Sequence, residues 1–112
     1  MCDYSLVSTP PVVSISGYNM ISSNNYQAVM NHLANVGPLA VAVAVGPDWE
    51  DYDLGVLSCG YDENIGINHA VQLVGYGNDF YHGDYWLVRN SWGDRWILQH
   101  CRHVLHKILF SF

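Results

Sequence analysis

Two stretches decide the fold of this chain: GINHAVQLVGYG at residues 66–77 and YWLVRNSWGDRW at residues 85–96. Each carries a run of β-branched and aromatic residues, a composition typical of strands, and the polar segment NDFYHGD joins the two runs. We therefore predict two adjacent strands. If they pair as a hairpin, the start of the first strand lies beside the end of the second. That arrangement would make His69 and Asn90 neighbours.

Upstream, the stretch SSNNYQAVMNHLANVGP predicts one helix from about residue 25 to residue 36. Asn24 is a candidate N-cap, and Gln27 follows it three positions later, as in a capping box. The apolar residues recur at spacings of four and three and form one stripe: Tyr26, Met30 and Leu33. The glycine and proline at residues 37–38 are expected to end the helix.

The next segment, LAVAVAV at residues 39–45, predicts a buried strand because its residues are small or β-branched. DWEDYDLG at residues 48–55 is acidic and predicts a surface segment, with Asp48 as a candidate N-cap. A helix followed mostly by strands with short connections indicates an α+β domain with an antiparallel sheet.

Composition limits the possible classes of function. The chain has 112 residues, of which 50% are hydrophobic and 12% charged, enough for one small domain with one core. Its net charge of −6 argues against nucleic-acid binding, which needs a positive surface. It contains no apolar run of membrane-spanning length. The first residues lack the basic start and apolar run of a signal peptide. We expect no metal and no cofactor.

The predicted contact between His69 and Asn90 has a chemical meaning. The Asn90 amide oxygen would accept a hydrogen bond from one ring nitrogen, which leaves the other nitrogen able to take or give a proton. This is the pairing of base and orienting group that nucleophilic catalysis uses. Trp92 is close enough in sequence to shield that contact from water. A histidine beside an apolar strand can also be a purely structural residue.

The stretch NHAVQLVGYG followed by DYWLVRNSWGDRW resembles the second half of a papain-like cysteine peptidase of the cathepsin type. The similarity extends upstream through GPLAVAVAV and YDLGV to CDY near the start, and covers roughly residues 2–96. It implies the right-hand domain of a two-domain fold, a β-barrel-like antiparallel sheet whose helical left domain is absent. We therefore divide the chain into this right-hand domain, residues 1–96, and a divergent basic tail, residues 97–112.

The resemblance also implies roles for individual residues. His69 would act as general base and acid, Asn90 would orient it, and Trp92 would shield their contact. Further residues fall where the family lines the substrate pocket: Ala42, Ile67, Asn68 and Ala70. The small apolar members of this set suggest that a hydrophobic side chain is accepted at the second residue before the scissile bond. The expected ligand is a peptide or protein substrate.

None of the three cysteines fits the place of the nucleophile. Cys2 precedes two prolines, which prevent the long helix that the thiol needs, and it lies 67 residues before His69. The family spacing is on the order of 130 residues. Cys59 lies in a loop and Cys101 lies beyond Asn90. We expect a left domain, in cis or in trans, to supply the thiol.

The resemblance gives two of the cysteines a structural role instead. Cys2 and Cys59 match positions that usually form disulfides, the first with a cysteine of the left domain. The family partner of Cys59 lies near the C-terminus, so a bridge between Cys59 and Cys101 stays open as an alternative.

The tail departs from the family, which continues after this point with glycines and another core strand. All ten acidic residues precede residue 97, whereas ILQHCRHVLHKILFSF holds two basic residues and no acid. One interpretation is a changed reading frame or exon. The other is a basic amphipathic helix that covers an open sheet edge or rests on a membrane, although we do not expect membrane contact. Loss of the usual strand would expose a sheet edge and make the isolated chain poorly soluble.

Two functions follow. The chain is either the right-hand part of a cysteine endopeptidase, inactive alone, or a non-catalytic truncated homologue that binds peptides or a peptidase partner. The resemblance implies a lysosomal, vacuolar or secreted location.

Overall fold

A computed structural model describes residues 13–58, 66–93, 99–102 and 107–111. Its elements follow one another along the chain: β1 (Asn19–Ile21), α1 (Tyr26–Asn35), β2 (Leu39–Val43), a 3₁₀ turn (Pro47–Trp49), β3 (Val56–Ser58), β4 (His69–Asp79), β5 (Gly83–Arg89), β6 (Gln99–Arg102) and β7 (Lys107–Ser111). Within these ranges, no helix has the length and apolar character needed to cross a membrane.

The strands form one sheet in the order β1-β7-β2-β4-β5-β6-β3. All neighbouring pairs are antiparallel except β3 and β6, which run parallel. The sheet is open, and β1 and β3 are its edges among the described strands. The prediction of an α+β fold with one helix and a mainly antiparallel sheet is confirmed.

The core lies between α1 and one face of the sheet. In β2 the residues Leu39, Val41 and Val43 are buried, and they alternate with partly exposed alanines because strand side chains point to opposite faces in turn. Leu39 pairs with Leu73 and Val41 with Val71 across the ladder to β4, so both strands turn the same face inward. The other buried hydrophobic residues of this cluster are Val29, Trp49, Trp86 and Val88.

The N-cap of α1 is Asn25, not the predicted Asn24. The side-chain oxygen of Asn25 accepts a hydrogen bond from the Ala28 backbone N–H at 3.0 Å. Asn24 instead has a φ of 59°, in the left-handed region that asparagine tolerates, and belongs to the turn before the helix.

The apolar stripe of α1 also differs in detail from the prediction. Val29 is fully buried, Met30 and Leu33 pack against the same core, and Tyr26 is half exposed. Val29 lies one turn from both Tyr26 and Leu33, so it belongs to the predicted face and sits at its centre. The helix ends where the N–H groups of Val36 and Gly37 both donate to the His32 carbonyl.

The strand predicted over residues 39–45 ends early, at Val43. The side-chain amide of Asn68 takes both backbone groups of Val45, accepting from its N–H at 2.9 Å and donating to its carbonyl at 3.0 Å. An asparagine side chain thus replaces the neighbouring strand at this position.

The acidic segment after β2 begins with the 3₁₀ turn. Gly46 is its N-cap and Asp48 lies in its first turn, so the prediction of Asp48 as a cap is wrong. Pro47 occupies the first position, where its missing N–H costs nothing. Trp49 is only 3% exposed, because the turn directs its indole into the core while the acidic side chains around it face solvent.

The hairpin of β4 and β5 is longer than predicted. Asn78 pairs with Asp84 and Asp79 with Gly83, so only residues 80–82 remain in the turn. The Asp79 carboxylate closes this turn by accepting the backbone N–H groups of Tyr81 and His82, each at 2.9 Å. A side chain that bonds to backbone two and three residues ahead is a usual way to hold a tight turn.

The helical interpretation of the tail is wrong for its described parts, which are β6 and β7. β7 pairs with both β1 and β2, and β6 pairs with both β5 and β3. The edges of β2 and β5 would otherwise present unpaired backbone groups, and the apolar run Ile108–Phe110, which contains a β-branched and an aromatic residue, suits a strand. The open edge expected beside the family portion is therefore covered by the tail itself.

Candidate active site

His69 and Asn90 meet where the hairpin of β4 and β5 opens. His69 is the first residue of β4, and Asn90 directly follows the last residue of β5. The His69 Nε2 atom lies 2.9 Å from the Asn90 Oδ1 atom. Because an amide oxygen only accepts, Nε2 carries the proton in this contact. Nδ1 has no hydrogen-bond partner within the described part of the chain, so it is left to exchange a proton with a reacting group.

The orientation of the Asn90 amide is fixed by its own neighbour. Its Oδ1 also accepts the backbone N–H of Ser91 at 2.8 Å, and the residue is only 8% exposed. This second donor keeps the oxygen, rather than the nitrogen, on the side of His69. The Nδ2 group points the other way and is buried without a hydrogen-bond partner among the described residues.

Trp92 covers the imidazole. The centroids of the two rings lie 4.9 Å apart and their planes are tilted by 30°. An aromatic face against the ring keeps water from one side of the contact between His69 and Asn90. A hydrogen bond is electrostatically stronger where water is excluded.

Asn68, a predicted pocket residue, also has a structural task. Its backbone N–H donates to the Val43 carbonyl at 3.2 Å, and its side chain holds both backbone groups of Val45. These bonds fix the chain just before His69, and Val43 pairs with His69 in the ladder. Sequence reasoning missed this role because the partner is backbone 23 residues away, and spacing carries no signal for it.

A depression beside the imidazole offers room for a ligand. Its volume is about 450 Å³, and its lining includes Glu50, Asn68, His69 and Trp92 together with the turn at residues 45–47. It is broadly open to solvent. A peptide chain could therefore reach His69 from this side.

All four predicted pocket residues lie in one region, at or beside the start of β4. Ala42 and Ala70 are direct cross-strand partners, and Ile67 precedes them at the entry to β4. Ala70 and Ile67 are exposed and Ala42 is partly so. Because side chains alternate along a strand, Ala70 faces the opposite side of the sheet from His69.

The disulfide candidates Cys2 and Cys59 lie outside the described residues. Cys101 lies in β6, paired in register with Trp86 of β5 and Leu57 of β3. Within the described ranges, no three side chains of His, Cys, Asp or Glu are grouped as metal ligands.

Comparison with known proteins gives one consistent result. The family described as papain family cysteine protease matches residues 1–101. Zingipain-2 of Zingiber officinale is 43% identical over 91 residues, which cover 77% of this chain and 38% of that protein. Vignain of Vigna mungo is 41% identical over 96 residues, covering 85% and 25% respectively.

Solved structures agree. The digestive procathepsin L2 proteinase from the larval midgut of Tenebrio molitor superposes with a TM-score of 0.76 at 32% identity, covering 88% of this chain and 34% of that one. Bromelain of Ananas comosus, solved in complex with the inhibitor E64, gives a TM-score of 0.69 at 33% identity and covers 82% and 43%. The chain thus spans well under half the length of each of these relatives, and it belongs to the papain family of cysteine proteases.

Proposed function

We propose that this chain supplies the histidine and asparagine half of a cysteine peptidase active site. A helical left domain, in the same longer chain or in a second one, would supply the thiol. The observation that carries the proposal is the 2.9 Å contact between His69 and Asn90 under the indole of Trp92. Such an arrangement leaves Nδ1 of His69 directed to a partner that the described residues do not provide.

The proposed chemistry assigns one task to each residue. Nδ1 of His69 takes the thiol proton, and the resulting thiolate attacks a peptide carbonyl to form a thioester as the C–N bond breaks. His69 gives the proton to the leaving amine and then accepts one from the water that hydrolyses the thioester. Asn90 keeps Nε2 hydrogen-bonded in both protonation states, since an amide oxygen accepts from neutral and charged imidazole alike.

The substrate side is proposed from the pocket residues. Ala42, Ile67 and Ala70 are small or apolar and would accept a hydrophobic side chain. Asn68 lines the depression beside His69 as well, and its amide also positions this part of the chain by holding the backbone of Val45. We infer a lysosomal, vacuolar or secreted location from the family.

We also propose that residues 1–96 form the family portion, with residues 97–112 as an added basic segment. The family match reaches residue 101, five residues beyond that boundary. The described strands of this segment belong to the same sheet as the family portion. The boundary is therefore a change in amino-acid composition, and the sheet is continuous across it.

A chimaera tests the proposed function. The corresponding part of zingipain-2 is replaced by this chain, and the hydrolysis of a fluorogenic peptide is measured for the chimaera and for this chain alone. We expect hydrolysis by the chimaera and none by the chain. His69→Ala should lower kcat/KM by about a thousandfold or more, because the base is lost.

His82→Ala is the matched control, since His82 lies in the turn between β4 and β5, at the far end of β4 from the site. Its kcat/KM should stay within about twofold of the parent chimaera. A folded chimaera with no hydrolysis, or one that His69→Ala leaves active, would contradict the proposal. The first result would favour the alternative, a non-catalytic homologue that binds peptides in the open depression beside His69.

A further inference from the structure

A second cavity lies at the other end of β4, between the start of α1 and the hairpin. Its volume is about 660 Å³, and its lining includes Tyr26 and Met30 of the helix and Tyr76 and Trp86 of the strands. We call these four residues, with Asn78 and Asp84, the aromatic slot. Tyr76 follows His69 by seven residues, about 23 Å at the usual rise of a strand. The slot is therefore separate from the candidate active site.

Three aromatic rings form its walls. Trp86 is 8% exposed and is held by the core, whereas Tyr26 and Tyr76 are 49% and 46% exposed. The Tyr26 ring lies nearly parallel to the Trp86 ring, with centroids 6.2 Å apart, and the Tyr76 ring meets it edge-on at 6.1 Å. The faces of such rings carry negative potential and attract cations within about 6 Å.

The polar end of the slot carries a carboxylate. Asp84 accepts a hydrogen bond from the Asn78 side-chain amide at 2.8 Å through one oxygen, Oδ1. Asn78 and Asp84 are also cross-strand partners in the hairpin, so their positions are set by the ladder. The carboxylate is thereby fixed at the rim while its second oxygen remains available to a ligand.

The described part of the chain carries a net negative charge. It holds six acidic residues and three basic ones, Arg89, Arg102 and Lys107. Arg89 pairs with Gln72 at the opposite end of the hairpin from Asp84. A net negative charge favours cations over anions near the protein surface.

From the aromatic walls and the fixed carboxylate, we propose that the aromatic slot binds a small alkylammonium cation of the trimethylammonium class. The rings surround the methylated head, and Asp84 balances its charge at the rim. The volume lies within the range of ordinary small-molecule sites. The proposal does not depend on the peptidase function.

Titration of the full chain with choline tests this proposal. Binding is followed by NMR through the side-chain signals of Trp86 and Tyr76, in parallel with dimethylbutanol, the uncharged carbon isostere of choline. We expect saturable shifts with choline and roughly tenfold weaker binding of the isostere, because only the cation gains from the ring faces. Equal affinity for the two compounds, or no saturation at millimolar choline, would overturn the proposal.

Two variants separate the slot from general electrostatics. Asp84→Asn removes the charge but can still accept from Asn78, and Asp53→Asn removes the same charge from the exposed segment before β3. Asp84→Asn should weaken choline binding by about tenfold and Asp53→Asn by less than twofold. Equal effects would show nonspecific attraction and refute the site. Both residues are exposed, so the variants are expected to fold.

Discussion

Single hydrogen bonds decide what the site residues can do. The Ser91 N–H turns the Asn90 oxygen toward His69, and without that donor the amide could rotate and present its nitrogen instead. A flipped amide would present its N–H groups to Nε2, accept no hydrogen bond from it and repel the imidazolium. The orientation of the catalytic candidate therefore depends on the backbone of the next residue, whatever side chain that residue carries.

Asn68→Ala should destabilise the chain, because it removes two hydrogen bonds and leaves both backbone groups of Val45 unpaired. We expect a loss of about 1–3 kcal/mol in the free energy of unfolding. Urea denaturation followed by circular dichroism measures it. The matched control is Asn35→Ala, which removes a single exposed side-chain bond within α1. If the two variants lose equal stability, the side chain of Asn68 does not hold the start of β4.

His82→Gln should raise the pKa of Asp79. The His82 side chain is the largest cause that holds the pKa of this carboxyl below its usual value, and the backbone N–H groups of His82 and Tyr81 add to it. A depressed pKa in the folded chain means that Asp79 stabilises the fold above its unfolded pKa. This contribution is lost as the pH falls through the folded value.

The pKa of Asp79 can be read from its side-chain carbon signal in an NMR titration. In His82→Gln the titration midpoint should move up toward the ordinary range for aspartate. Phe80→Ala keeps all three hydrogen bonds of the turn and should leave the midpoint unchanged. A shift of the same size in both variants would mean that the whole turn, rather than the imidazole, sets this pKa.

Among the helices and strands, the sequence predicted those elements that depend only on residue preferences within the element itself. The strand β4, the strand β5 and the helix α1 all follow from residue type and periodicity. The cap of the helix was misplaced by one residue, since Asn24 and Asn25 are chemically identical and only the backbone distinguishes them. The end of β2 was missed because Asn68, far along the chain, replaces the ladder there.

Asn25→Ala should lower the free energy of unfolding by about 1 kcal/mol, because the N–H of Ala28 loses its acceptor. Asn24→Gly is the control. Glycine adopts a positive φ more readily than asparagine, so this variant should be neutral or slightly stabilising. Thermal denaturation of both variants decides which asparagine caps the helix. A larger loss at position 24 would contradict the assignment.

The tail shows why periodicity alone could not predict its structure. Its apolar residues recur at a helical spacing, but the same run contains isoleucine, leucine and phenylalanine in succession at Ile108–Phe110, which a strand accepts equally well. The available edges of β2 and β5 favour the strand, and these edges are known only once the sheet is built. The contact of His69 with Asn90 was predictable, because the hairpin of two consecutive strands brings these residues together and no distant strand is needed.

For the whole molecule, the hairpin of β4 and β5 carries the two proposed sites at its two ends. His69 and Asn90 lie where it opens, and the aromatic slot lies toward its turn. The rigid ladder between them connects both to one core through Leu73 and Val88, which pair in register and are fully buried. A change that loosens this core should therefore disturb both sites together.

The final prediction concerns the sheet edge that the tail covers. Truncation after Arg102 removes β7, which lies between β1 and β2, and leaves the backbone edge of β2 unpaired. Exposed edges pair with other chains, so the truncated chain should be less stable and should aggregate at lower concentration than the 112-residue chain. Size-exclusion chromatography with light scattering over a concentration series measures this. Removal of Phe112 alone keeps every described strand pair and is the control. The loss of the β7 pairing would have no effect on stability or association if the truncated chain stayed monomeric and as stable as this control. That result would show that β7 does not protect the edge.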